Sequence, residues 1–269
     1  MSVLDRPIGV FDSGIGGLTV FKALGRRMPG ENLVYFGDTA HVPYGSKSKE
    51  AVSRYSVAVA KFLAGRRIKA LVVACNTSSA LALDAVRRAL KGIPVLGVIE
   101  PGARAAAAAT RNGVVGVIGT EATIKSRAYT ESLRKLRPGL KVEAVACPLF
   151  VPLVEEGWWR HPVALSVAKE YLKTMRRSRA DTLVLGCTHY PLLKPVLRRV
   201  MGSSARLIDS AEQTALETEE LLESAGLRRR GRQGRREFFC SDAPARFHGL
   251  ARRLLGLPVS RVGLHPFDI

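Results

Sequence analysis

Short apolar runs alternate with longer amphipathic stretches along almost the whole of this 269-residue chain, and that alternation leaves few folds open. PIGVFD (7–12), NLVYFGD (32–38), ALVVAC (70–75), IPVLGV (93–98), VVGVIG (114–119), KVEAVAC (141–147), DTLVLGC (181–187), ARLID (205–209) and EFFCS (237–241) read as strands. Helices are expected from Leu18, over 48–64, from Asn76 or Thr77, after Pro101, and over 121–136, 162–176, 210–225 and 244–254. Strands that alternate with helices predict an α/β fold of doubly wound, mainly parallel sheets with helices on both faces.

The pattern also repeats within the chain. IGVFDSGIG (8–16) resembles VGVIGTEAT (115–123), and LVVACNT (71–77) resembles LVLGCTH (183–189). The offsets are similar, 107 residues from Ile8 to Val115 and 112 from Cys75 to Cys187. Buried strands are all rich in Val, Leu and Gly, but two matches in the same order favour duplication over chance. Two pseudo-symmetric domains are therefore expected, residues 1–97 with 211–269 and residues 98–210, with the active site in the cleft between them. Ligands of open α/β sheets bind beyond the carboxyl ends of the strands. Asp12, Cys75 and Cys187 fall there, each followed by a helix whose N-terminus favours anions.

Composition narrows the functional classes. The opening MSVLDRPIGV lacks a secretory layout, and no apolar run approaches the roughly 18–20 residues of a membrane span, so a cytoplasmic protein is expected. The four cysteines are scattered without a CxxC pair, which argues against structural zinc and against a disulfide framework. The net charge of +19 is concentrated at 25–27, 65–67, 176–179 and 228–236. It reads as a solvated basic surface with one mobile hairpin or loop; nucleic-acid contact or steering of an anionic substrate is the sharper alternative. No DNA-binding motif supports the former, and aromatics do not interleave the basic runs.

A cysteine delivered at a strand end, twice, suits a particular chemistry. Two thiols on facing half-sites can act on both faces of one carbon, one removing a proton while the other delivers one, which inverts the centre. Each general acid–base group of this kind contributes about 10²–10⁴-fold. A free thiol titrates near about 8.5, and helix N-termini or hydrogen-bond partners can raise the thiolate share. Asp12 and Asn76 are the candidate partners of Cys75, and His189 that of Cys187. DSGIGG (12–17) lacks the lysine and spacing of a P-loop, so it reads as a tight turn that brings backbone N–H groups to a carboxylate. Cys147 and Cys240 read as buried, inert thiols.

DSGIGG (12–17), FGDTAHVPYGSKS (36–48), ACNTSSA (74–80), VIGTEATIKS (117–126) and GCTHYPLL (186–193) together resemble the glutamate racemases of the aspartate/glutamate racemase family, in order from Ile8 to Asp209 and more weakly beyond. The resemblance implies interconversion of L- and D-glutamate for peptidoglycan synthesis, without pyridoxal phosphate, metal or nucleotide, by a homodimer. It implies Cys75 and Cys187 as the paired acid and base, serving the D- and L-isomer respectively. Asp12 and His189 would assist them, Asp38 would be a further acid of the site, and Glu155 in PLVEEG another, with Glu156 competing for that alignment. Substrate contacts would come from Asp12, Ser13, Tyr44, Gly45, Asn76, Thr77, Thr120, Thr123, Thr188 and His189. The rival readings are an aspartate or other racemase using the same pair, a thiol hydrolase built on Cys187 and His189, and a basic nucleic-acid-binding protein.

Overall fold

The computed structural model describes residues 2–256, 259 and 261–267. Its strands are β1 (Ile8–Asp12), β2 (Leu33–Gly37), β3 (Ala70–Val73), β4 (Val95–Gly97), β5 (Val114–Gly119), β6 (Lys141–Ala146), β7 (Thr182–Gly186), β8 (Arg206–Ile208), β9 (Arg236–Cys240) and β10 (Gly263–Leu264). They form one six-stranded sheet, ordered β10-β9-β2-β1-β3-β4, and one four-stranded sheet, ordered β6-β5-β7-β8. Every pairing among the described residues is parallel.

The internal repeat has a topological counterpart. β2-β1-β3-β4 and β6-β5-β7-β8 are the same order, so β1 corresponds to β5 and β3 to β7. In each sheet the order reverses between the first and third strands of the set, and such a switch point opens a crevice at the strands' carboxyl ends. Cys75 follows β3 and Cys187 follows β7. The duplicated cysteine thus lies at the switch point of each half.

The central strands β1, β2, β3, β5 and β7 are buried on both faces almost throughout, which explains why they read as unbroken apolar runs rather than alternating ones. Val10, Tyr35 and Val72 face the Leu18–Arg27 helix, whose Leu18, Phe21 and Leu24 join them in one core. Phe11, Phe36 and Val73 face the other way, onto Val52, Val59 and Leu63 of the Lys49–Gly65 helix. In the smaller sheet Val115, Val117 and Val184 pack beneath Ala103 and Ala106 of the Ile99–Ala109 helix. Leu183 and Leu185 turn to the opposite core, with Ala164 and Ala168. The Ser210–Ser224 helix packs on both the Leu18–Arg27 and Ile99–Ala109 helices. Its Glu212 and Glu219 pair with Arg26 and Arg27 on one side, and its Glu217 with Arg104 on the other.

Several expected elements are divided. The helix read over 121–136 is two, Glu121–Lys125 and Ala128–Leu136, because Arg127 adopts the left-handed conformation at φ 59°. The one read over 162–176 breaks between Tyr171 and Lys173. After Cys187 the helix does not begin at once: a 3₁₀ turn, Tyr190–Leu193, precedes Lys194–Met201. Phe150–Glu155, a short helix absent from the sequence reading, carries Glu155.

The arginine run at 228–236 is not a free basic loop. Glu31, whose side chain is fully buried, holds Lys69 Nζ at 2.6 Å and Arg228 Nη1 at 3.4 Å, and accepts from the backbone N of Arg229 at 2.7 Å. Lys69 also donates to the carbonyls of Leu4 and Leu227, both at 2.8 Å. Arg236 donates to the carbonyl of Glu31, and Arg235 N to Asn32 Oδ1. The run is a strap across the amino ends of β1, β2 and β3, on the side opposite the cysteines. A buried carboxylate requires such partners, so part of the cationic excess at 228–236 answers an acid elsewhere in the chain.

Candidate active site

Cys75 follows β3 and caps the Asn76–Leu81 helix, its sulfur accepting from Ser78 N at 3.4 Å. The thiol also reaches Ser13 Oγ at 3.7 Å. Burial, followed by the negative charge of Asp12, pushes this thiol up to about 11; its hydrogen bonds with Ser78 and Ser13 oppose that without overcoming it. The helix cap and its hydrogen bonds therefore favour the thiolate less than burial and Asp12 disfavour it. Cys75 is a neutral thiol, the form that gives a proton.

Cys187 has a different environment. His189 Nδ1 lies 3.9 Å from its sulfur, and His189 Nε2 lies 3.2 Å from Glu155 Oε1. Burial alone would lower the histidine's proton affinity. The hydrogen bonds to Cys187 and Glu155, with the charges of both, outweigh burial and carry it up to about 10. His189 also holds Glu155 below the ordinary carboxylate range. The result is an imidazolium between a carboxylate and a sulfur, able to stabilise negative charge on that sulfur. Of the two adjacent acids it is Glu155 that turns inward; Glu156 is exposed.

This pair has a consequence for stability. A histidine whose folded value is raised contributes stability in full below the unfolded value, about 6.5, and loses it as pH rises through the folded one. The stability difference between wild type and His189→Asn should therefore shrink as pH rises toward and past about 10, the folded value. Thermal unfolding of both proteins across that range checks it; a pH-independent difference contradicts the imidazolium assignment.

The two half-sites meet through short side chains. Asp12, fully buried, accepts from Gly14 N at 3.2 Å and Gly17 N at 3.0 Å, and its other oxygen from Thr188 Oγ1 at 3.4 Å. Burial raises its pKa, while the charge of His189 and these hydrogen bonds act the other way. A Cβ on Gly16 would strike Thr188 Oγ1 and lie 2.8 Å from His189 Nδ1, so only glycine lets the 12–17 turn approach the Cys187 turn this closely. Thr77, Thr120 and Thr123 form a triangle of hydroxyls at 3.0, 3.3 and 2.9 Å, joining the turn after β3 to the turn after β5.

Both thiols line one small chamber of about 30 Å³, with Ser13, Tyr44, Gly45, Asn76, Thr77, Thr120, Thr188 and His189 in its wall. Three residues not among the expected site residues complete the wall: Val42 and Pro43, from the quoted 36–48 motif, and Val151. Asp12 and Thr123 stand behind it, holding residues that do line it. Asp38 is also behind it, bonded to Tyr44, and Glu155 reaches the chamber only through His189. A larger hollow of about 440 Å³ adjoins it, sharing Val42, Pro43, Gly45, Thr120 and Val151 and reaching out to Glu155 and Arg246.

Other positions were invisible to the sequence reading. Tyr129 donates to Asn76 Oδ1 at 2.7 Å and Tyr35 to the carbonyl of Gly14 at 2.8 Å; their partners are distant in the chain, and no local signal marks either tyrosine. Cys147 and Cys240 are buried away from the chamber, and burial raises both thiols. Among the described residues no cluster of three or more His, Cys, Asp or Glu is arranged to hold a metal ion, and no helix is long and apolar enough to cross a membrane.

The Asp/Glu/Hydantoin racemase family model matches residues 9–218. The chain belongs to that family. It is 54% identical over 252 residues to a glutamate racemase of Geobacter metallireducens, covering 93% of each chain, and 50% identical over 263 residues to one of Syntrophus aciditrophicus, covering 96% and 97%. Among solved structures, glutamate racemase isoform RacE1 of Bacillus anthracis superposes with a TM-score of 0.92 at 39% identity, covering 98% of both chains. The Francisella tularensis glutamate racemase, solved in complex with D-glutamate, gives 0.93 at 37% identity and covers 98% and 99%. The chain is an amino-acid racemase, an isomerase, and the doubly wound α/β architecture is that of its family.

Proposed function

We propose that this racemase interconverts L- and D-glutamate by two-cysteine acid–base catalysis, Cys75 and Cys187 acting on opposite faces of Cα. The observation that carries the reading is the shared chamber: two thiols from corresponding positions of two like-ordered sheets open on the same small space. Each sheet with its helices would be one domain, and the chamber lies where the two meet. The glutamate specificity is supported by the relatives above, whose own names carry that substrate.

For the enantiomer whose Cα–H faces Cys187, the Cys187 thiolate takes the proton while the imidazolium of His189 stabilises the sulfur beforehand. The C–H electron pair remains on Cα as a carbanion-like state. The neutral Cys75 thiol then gives its proton to the opposite face, and the configuration is inverted. Charge has moved from one sulfur to the other, so the enzyme is now set for the reverse reaction until a proton is redistributed. As Cys75 becomes a thiolate, the Ser78 N–H and the Ser13 hydroxyl are in place to receive the charge. Ser13, Asn76, Thr77, Thr120 and Thr188 offer neutral donors and acceptors to the substrate's carboxylates and ammonium. The cellular use we infer is supply of D-glutamate to peptidoglycan in the cytoplasm.

Incubation of L-glutamate in D₂O tests this, with optical rotation and Cα deuterium followed together, beside a parallel reaction with aspartate. Inversion with deuterium entering the product enantiomer is the expected result. Faster turnover of aspartate would transfer the assignment to the rival substrate, and inversion without exchange would exclude the proton-transfer route.

A further inference from the structure

The six-stranded sheet exceeds its four-stranded counterpart by β9 and β10, both from the C-terminal segment, which lies beyond the residues 9–218 shared with the family model. That segment reaches the chamber from behind. Asp38 follows β2, is fully buried, and is held by three side chains: the Tyr44 hydroxyl donates to Oδ2 at 2.5 Å, the Ser241 hydroxyl donates to Oδ1 at 2.6 Å, and His41 Nδ1 lies 2.9 and 3.0 Å from the two oxygens. Ser241 comes directly after β9 and is 3% exposed. Its oxygen also accepts from Ala40 N at 2.9 Å, so one hydroxyl fixes both the carboxylate and the turn that follows it.

Tyr44 connects this cluster to the chamber. It opens the 3₁₀ turn Tyr44–Ser46, and Tyr44 and Gly45 both line the chamber wall. With its hydroxyl engaged by Asp38, what Tyr44 presents to a substrate is its ring and the backbone of 44–45. Gly45 is pressed against Thr120, where a Cβ would come within 2.5 Å of the threonine Cβ, so this wall has little freedom to find another position. A small shift of Tyr44 is therefore a shift of the substrate seat.

We propose that Ser241 is a positioning residue of the racemase reaction: by donating to Asp38 it fixes the carboxylate that holds Tyr44, and through Tyr44 the wall on which the substrate seats. The proposal rests on the reading of the chamber as the glutamate site. It assigns Asp38 a part in binding rather than in proton transfer. It also gives the C-terminal segment a role in the site, which neither its distance in sequence nor its place outside the family match suggests.

Removing a hydroxyl that donates to a buried carboxylate, away from the transferring protons, should weaken binding more than chemistry. Ser241→Ala is expected to raise KM for glutamate about tenfold while kcat stays within about threefold, and Ser241→Thr, which keeps the hydroxyl, should restore most of the loss. Tyr44→Phe breaks the same link from the other end with Ser241 intact. It should raise KM comparably, and the double variant should be little worse than either single one. A variant pair that unfolds at lower temperature but keeps wild-type KM would overturn the proposal, because that is what a purely structural bond predicts. If Ser241→Ala does not fold, unchanged KM in Tyr44→Phe would overturn it equally. Wild-type turnover in the same assay separates the two levels: an inactive wild type fails the racemase reading and this one with it, whereas an active wild type with insensitive variants fails this one alone.

Discussion

Cys75→Ser and Cys187→Ser are each expected to lower kcat for glutamate racemisation in both directions by about 10²–10⁴-fold, the range for loss of one positioned acid–base group. A hydroxyl fills the space of the thiol but gives up a proton far less readily, so the geometry survives while the chemistry does not. Because inversion needs a base on one face and an acid on the other, the double variant should lose little more than the worse single one. Circular dichroism on both enantiomers measures this directly. A Cys75→Ser variant within tenfold of wild type would remove Cys75 from the mechanism and favour a thiol hydrolase centred on Cys187 and His189. The two half-sites make the result sharper, since Cys75 is a neutral thiol under a helix cap while Cys187 faces an imidazolium.

Lys69→Met should cost about 3–5 kcal/mol of folding stability, the usual penalty for leaving a buried charge without its partner. Both side chains of the Lys69–Glu31 pair are fully buried at 2.6 Å. Arg228 and the backbone N of Arg229 still reach the other carboxylate oxygen, which places the loss toward the lower end. Two carbonyls, of Leu4 and Leu227, lose their donor as well. Urea unfolding gives the stability difference, and Lys69→Met with Glu31→Gln should recover part of it, since no bare charge is then left behind. A loss below about 1 kcal/mol, the scale of a surface ion pair, would show that the strap is not anchored there.

Much of the fold could be read in the sequence because buried parallel strands have a strong local signature. Nine of the runs named above fall on β1 to β9, and the duplicated LVVACNT and LVLGCTH fall on β3 and β7 with their cysteines at corresponding ends. The helix breaks were harder to see. Nothing in AYTESLRKL announces that Arg127 before it turns left-handed, since that conformation is set by how two short helices pack rather than by residue type. β10 is two residues long and has no periodicity to detect.

The site divides along the same line. The sequence by itself determined which side chains could do the chemistry: Cys75, Cys187 and His189 are reactive types at strand ends, and local spacing placed them there. Only the tertiary structure decided which of the companions touch the chamber and which act from behind it. Asp12 reaches across to Thr188, Asp38 turns away to Ser241, and Glu155 serves His189. It also decided that Arg228 and the backbone of Arg229 hold a buried Glu31, while Arg230, Arg232 and Arg235 of the same run stay exposed. The physical reason is range. Strand and helix periodicity are written within a few residues, whereas the desolvation of an acid and the partner that relieves it are contributed by segments as much as two hundred residues apart, and only folding brings them within a hydrogen bond.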